Sequence, residues 1–245
     1  MSAPVFIADP SALRAGERVV LVGDEGRHAA VVRRIGVGEE VELTDGAGHL
    51  ARCVVASAGR DGLVCDVISR MDVPAAQPRL VVAQAIPKGD RGETAVETLT
   101  EVGVDEILPW AAARCVTRWK GERGEKSLRK WRSTARESAK QSRRAWVPDV
   151  ADQVTTRQLV DRVHGAQLCV VLHEEADQAL GQVRVPEAGE VLVIVGPEGG
   201  LAPDELAALA AAGGVVTRLG PSVLRTSTAG TVAAGVLLAA TSRWR

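Results

Sequence analysis

Two stretches of the sequence combine residue types that can do chemistry. The first is VIVGPEGGLAPDE, residues 193–205. An apolar run enters Gly196-Pro197-Glu198-Gly199-Gly200 and gives way to a helix start. Three glycines permit positive φ and let the backbone approach a ligand closely. No GK[ST] follows, so this is not a Walker A loop, and the spacing is not GxGxxG. The second stretch is RLGPSVLRTSTAG, residues 218–230. A short apolar run ends at Leu219-Gly220, Pro221 stiffens the turn, and Val223 and Leu224 are apolar residues in a loop. Such a loop suits an apolar ligand face, for example an adenine ring. Arg225 and the hydroxyls of Thr226, Ser227 and Thr228 follow where a helix begins, and a helix start has free N–H groups. A bare tight turn and a surface or packing arginine are the competing readings of these loops.

A third feature is electrostatic. The formal net charge is −1, yet residues 114–144 hold twelve Lys/Arg against three Glu, net +9. One local basic face fits a polyanion such as RNA, with a solvated helix face as the alternative. Cys53, Cys65, Cys115 and Cys169 form no CxxC pair, and His28, His49, His164 and His173 are scattered, so no metal site is expected. Three of the cysteines lie in strand-like runs and read as buried reduced thiols. Five Trp, one Phe and no Tyr are too few for a protein that reads single strands on aromatic platforms.

The elements that must position these residues change rhythm along the chain. Residues 1–72 read as short strands with glycine-containing turns, suggesting a small β-barrel or sandwich. Asp24 is expected to cap a short helix there. VPAAQP (73–78) reads as a linker. From residue 79 onward strands and helices alternate, which implies a covered parallel sheet with chemistry at its carboxyl edge. RLVVAQAI, EILPW, QLCVVLH, EVLVIVG and VVTRLG read as strands. Helices are expected at 92–103, at 125–146 as one long basic helix, at 203–213 and at 226–244. Residues 226–241 are too short to span a bilayer, and the N-terminus lacks a signal-peptide pattern. These features predict a cytoplasmic protein with no membrane partner.

The pair GPEGG and LGPSVLRTSTA, in this order, resembles the RsmE family of ribosomal RNA methyltransferases, of the SPOUT class. Lys88-Gly89, TLTEVGV (98–104), ARCVTRW (113–119) and KWRSTARESAKQSRRAWVP (130–148) extend the similarity over essentially the whole chain. The resemblance implies a PUA-like β-barrel that binds RNA, then an α/β domain with a C-terminal trefoil knot, working as a homodimer. It implies transfer of a methyl group from S-adenosylmethionine to N3 of a uridine in 16S ribosomal RNA of the small subunit. It places the adenosyl pocket at Leu172, His173, Gly196, Pro197, Glu198, Gly199, Gly200, Leu219, Gly220, Val223, Leu224 and Thr226. It gives Arg225 the catalytic role of stabilising charge on uracil. RNA would lie on the basic helix at Arg129, Lys130, Arg136, Arg143 and Arg144. The chain departs from the family pattern at Ser222, where Arg is usual, and at Ser227, where Glu is usual. Those two serines are the best support for the rival reading, a non-catalytic RNA-binding factor on the same fold.

Overall fold

The computed structural model describes residues 3–14 and 16–245. The chain divides into two compact units, residues 1–75 with 139–147, and residues 76–138 with 148–245.

The first unit contains β1 (Val5–Ile7), α1 (Pro10–Arg14), β2 (Arg18–Val22), α2 (Gly23–Arg27), β3 (Glu40–Thr44), β4 (His49–Gly59) and β5 (Gly62–Asp72). Its strands form one sheet in the order β1-β3-β4-β5-β2. The pairing is antiparallel except for β1 with β3. Alternation writes one face of that sheet into the core: Val19, Leu21, Val41, Leu43, Cys53, Val55, Leu63 and Cys65 are buried together with Phe6. Asp24 does not cap α2. The helix begins a residue earlier, after Val22, so Asp24 falls in its first turn, where its charge faces the positive helix end. A π-helical turn, His28–Val32, follows directly.

The second unit contains β6 (Arg79–Ala85), α3 (Arg91–Val102), β7 (Glu106–Trp110), α4 (Gly121–Gln141), β8 (Asp149–Val150), α5 (Thr156–Gly165), β9 (Leu168–Leu172), β10 (Glu190–Val195), α6 (Pro203–Ala211), β11 (Val215–Thr217) and α7 (Thr226–Ala239). Its strands make an all-parallel sheet in the order β11-β9-β10-β6-β7-β8. The unbroken apolar runs follow from burial on both faces. Leu80, Val82, Val191, Val193 and Val195 face Val96 and Leu99 of α3 and Ala233, Ala234, Leu237 and Leu238 of α7. Val81, Ala83, Leu192 and Ile194 face Leu159 and Val163 of α5 and Leu209 of α6. The small residues of α7 serve this packing: a Cβ on Gly230 would lie 3.2 Å from side chains of both Leu99 and Val195.

The basic helix departs from expectation at both ends. It starts at Gly121 and stops at Gln141, five residues before Trp146. Arg143 takes φ 56°, which no helix continues through. Residues 139–147, expected in the α/β part, belong instead to the first unit. The reasons are local. Lys140 Nζ is buried against Glu25 Oε1 at 3.1 Å. Thr44 Oγ1 donates to the Ala145 carbonyl at 3.1 Å, and Trp146 Nε1 to the Val73 carbonyl at 2.9 Å. The Trp146 ring lies over Gly48, where any Cβ would come within 2.8 Å of it. The last helix also ends early, at Ala239, and residues 242–244 form a separate 3₁₀ turn.

Candidate active site

The carboxyl ends of β9, β10 and β11, with the start of α7, surround a cavity of about 370 Å3. That lies within the roughly 300–1,000 Å3 range of small-molecule sites. Leu172 and His173 reach it from β9, and Gly196, Pro197, Glu198 and Gly200 from the loop after β10. Leu219, Gly220, Val223, Leu224, Arg225 and Thr226 reach it from the loop after β11. Two loops some twenty residues apart in sequence thus form one site, because β10 and β11 both pair with β9. Gly199 is the exception. It does not line the cavity, and a Cβ placed on it would meet Arg114 Cβ at 3.4 Å.

The first loop is held by its own acids. Glu198 Oε1 accepts from the Lys88 amide at 3.1 Å and lies 3.5 Å from Arg91 Nη1, which ties this loop to the loop after β6. Gly200 has φ 70°, a conformation that L side chains rarely adopt. Beyond it, Glu205 is buried in the first turn of α6 and accepts three times. Its Oε1 takes the Ala113 amide at 2.9 Å and the Thr156 hydroxyl at 2.7 Å, and its Oε2 takes the Ala202 amide at 3.3 Å. The second loop stays open: Val223 is 77% exposed and Leu224 37%. Arg225 is the N-cap residue of α7 with no side-chain cap bond. Among the described residues its exposed guanidinium has no ion-pair or hydrogen-bond partner. The buried Gln84 of β6 fixes the helix start beside it, with Nε2 donating to the Thr226 carbonyl at 3.2 Å.

The amide of His173 donates to the Thr217 carbonyl at 2.9 Å, and its ring Nδ1 accepts the Glu175 amide at 3.2 Å. The neutral ring therefore carries its proton on Nε2. Arg91 and Glu174 also line the cavity and lie outside both motifs, while Leu201, Pro221, Ser222 and Ala229 line it from within the two motif stretches, though they are not among the expected site residues. Arg91 carries a weak signal, because it opens the helix that follows β6 after a five-residue loop. Among the described residues no group of three His, Cys, Asp or Glu could hold a metal ion. Burial pushes the thiols of Cys65 and Cys169 up to about 12 and that of Cys53 up to about 11, and Cys115 is raised by the same cause.

Residues 75–238 match the model of an RNA methyltransferase domain, and residues 21–68 that of an RNA methyltransferase PUA domain. The chain is 52% identical over 234 residues to ribosomal RNA small subunit methyltransferase E of Mycobacterium tuberculosis, covering 94% of this chain and 89% of that one. It belongs to the ribosomal RNA small subunit methyltransferase E family. The Bacillus subtilis member is 32% identical over 218 residues, covering 85% of each chain. A crystal structure of the Neisseria gonorrhoeae member bound to S-adenosylmethionine superposes with a TM-score of 0.85 at 25% identity, covering 97% of this chain and 98% of that one.

In this member of the methyltransferase E family, the two serines that depart from the family pattern are placed differently. Ser222 lines the cavity, whereas Ser227 is buried in the first turn of α7 and does not. The cation-rich segment is partly consumed by internal pairing. Lys130 Nζ lies 3.1 Å from Glu93, and Arg132 reaches the Val150 carbonyl and Asp152. Lys140 is paired with Glu25. Arg129 makes only an exposed contact of 3.7 Å with Glu125 one turn away. Arg136, Arg143 and Arg144 complete the expected set. Arg136 is exposed on α4, and the other two lie beyond its end. Lys120, Arg123 and Lys126 are exposed cations at the start of the segment. Among the described residues no helix is long and apolar enough to cross a membrane.

Proposed function

We propose that this chain transfers the methyl group of S-adenosylmethionine to N3 of a uridine in 16S ribosomal RNA. The observation that carries the reading is the meeting of the GPEGG and LGPSVLRT loops on one cavity, with an unpartnered arginine at its wall. The names of the relatives support the substrate class, and the cofactor carried by the Neisseria structure supports the methyl donor.

The lining fits that cofactor. Leu172, Leu219, Val223 and Leu224 offer apolar faces to an adenine ring, and the glycine-rich loop offers backbone groups at close approach. Glu174 puts a carboxylate on the wall, where a cationic group of the cofactor would be held. The cofactor supplies an activated methyl group on sulfur. The protein must place uracil N3 in line with it. N3 lies on the pairing edge, so the uridine is taken unpaired or flipped. N3 becomes nucleophilic as its proton leaves, and negative charge spreads onto O2 and O4. Arg225, with its donors uncommitted, meets that charge. Glu198 is engaged by Lys88 and Arg91 and acts by ordering the loop.

RNA is held by the exposed cations of the segment 114–144; we assign residues 1–72 as a PUA-like RNA-binding barrel, 73–78 as a linker and 79–245 as a SPOUT domain, except that residues 139–147 belong to the first unit. Within that domain we assign a trefoil knot through the loops of the cavity, and a homodimer as the working form. Val232 and Val236, one turn apart and exposed on α7, are compatible with a second copy. The test is calorimetry with S-adenosylmethionine followed by methyl transfer to unmodified small subunits. Binding with transfer is expected. Binding of ATP or NAD in preference to S-adenosylmethionine would overturn the assignment.

A further inference from the structure

Gly199 faces away from the cavity and onto Arg114, the first residue of the cation-rich segment. Arg114 Nη1 donates to the Gly199 carbonyl at 3.0 Å, and the aliphatic stem runs along the same glycine. The short stretch around Arg114 is itself braced. Arg118 donates from Nη1 to the Ala112 carbonyl at 3.0 Å and from Nη2 to the Ala113 carbonyl at 2.6 Å. Glu205 holds the Ala113 amide with one oxygen and the Ala202 amide, just past the GPEGG loop, with the other. Residues 112–118 therefore form a strut that touches the cofactor loop at its apex and anchors beside its far end.

We propose that Arg114 is a positioning residue that makes the cofactor loop sense RNA. This rests on the methyltransferase reading above. A guanidinium has five donors, and Arg114 commits one of them to Gly199. The side chain is exposed, so without RNA its contact with Gly199 is weakened by water and by the rotamer freedom it gives up. A phosphodiester on the remaining donors makes a charge-assisted pair and fixes the guanidinium where it holds Gly199. The ordering needed for the loop to close on the cofactor is then already done. RNA and cofactor must each bind more tightly in the presence of the other, by the same factor.

Calorimetry with S-adenosylhomocysteine, which has no methyl group to transfer, tests this with and without unmodified small ribosomal subunits. The wild-type chain is expected to bind it at least about 5-fold more tightly with subunits present, at the low end of ordinary allosteric coupling. Arg114→Gln keeps a donor for the Gly199 carbonyl but no charge. It should retain affinity within about 3-fold in the absence of RNA and lose the enhancement. Arg114→Lys, with charge but no fork, should recover only part of it. Full enhancement in Arg114→Gln, or none in the wild type, overturns the proposal. Failure of the wild type to bind S-adenosylhomocysteine at all overturns instead the methyltransferase reading on which it rests.

Discussion

Arg225 presents a guanidinium that the described chain leaves unpaired, on the wall of a cavity and at the N-cap of a helix. In the proposed mechanism, charge that develops on uracil as N3 loses its proton is transient, so its stabilisation should appear in the chemical step. Loss of such a donor typically costs roughly 10²–10³ in rate. Arg225→Ala should show that fall in single-turnover transfer with near-normal S-adenosylmethionine affinity, and Arg225→Lys should recover little. Loss of affinity with a surviving rate would make the arginine structural. The cysteines behave oppositely. With burial raising all four thiols, they stay protonated near neutral pH, and an alkylating reagent should reach them only as fast as the chain opens. Rapid labelling of the native protein would contradict that. What the sequence can say about single residues stops at their neighbours. Gly199 reads as a ligand contact in GPEGG, but its partner Arg114 is 85 residues away, and no local pattern announces it.

The loop after β10 depends on elements that frame it. Glu205 is buried with three donors, from Ala113, Thr156 and Ala202, and hydrogen bonds to a charged group contribute about 1.5–3 kcal/mol each. Glu205→Ala should lower Tm and weaken cofactor binding together. If Tm falls and affinity is unchanged, the strut does not shape the loop. The cation-rich helix separates into two kinds of charge. Replacing Lys120, Arg123, Lys126 and Arg129 with Ala should reduce the salt dependence of RNA binding. The log–log slope should fall by up to about 0.7–0.9 for each phosphate that is no longer neutralised. Lys140→Ala should leave that slope alone and lower Tm, because it removes the buried ammonium paired with Glu25. An unchanged slope in the fourfold variant would reduce the helix to a solvated face. Charge counting cannot sort these cations, since Glu25 and Glu93 lie more than thirty residues away from their lysines. One further helix start is legible locally. α5 opens with Thr155 and Gln158 in a reciprocal capping box, a pattern written in TTRQL.

Over the whole molecule, the parallel sheet is readable because strands buried on both faces must be mostly apolar, and LCVVL, the VLVIV of EVLVIV, and RLVVAQA and EILPW apart from their charged ends and Gln84 are. The three-residue β1 and two-residue β8 carry no such signal; pairing with longer neighbours defines them. The β-rich unit has its own pH response. Burial favours the neutral acid at Asp45, but the amides of Ala47 and His49 and the His49 ring, 2.7 Å away, outweigh it and hold the carboxyl below its ordinary value. That stabilisation is present above the unfolded carboxylate value and is lost as pH falls through the folded one. Asp45→Asn should therefore flatten the acid limb of the stability profile below about pH 4, as read by thermal melts at stepped pH. The most direct measurement of the proposed transfer is mass spectrometry of nucleosides from small-subunit RNA of a strain lacking this chain, before and after incubation with the purified protein and S-adenosylmethionine. N3-methyluridine should be absent before and restored after, and the Arg225→Ala protein should restore it far more slowly. Normal N3-methyluridine in the deletion strain, or a methyl group restored at any other atom, would contradict it.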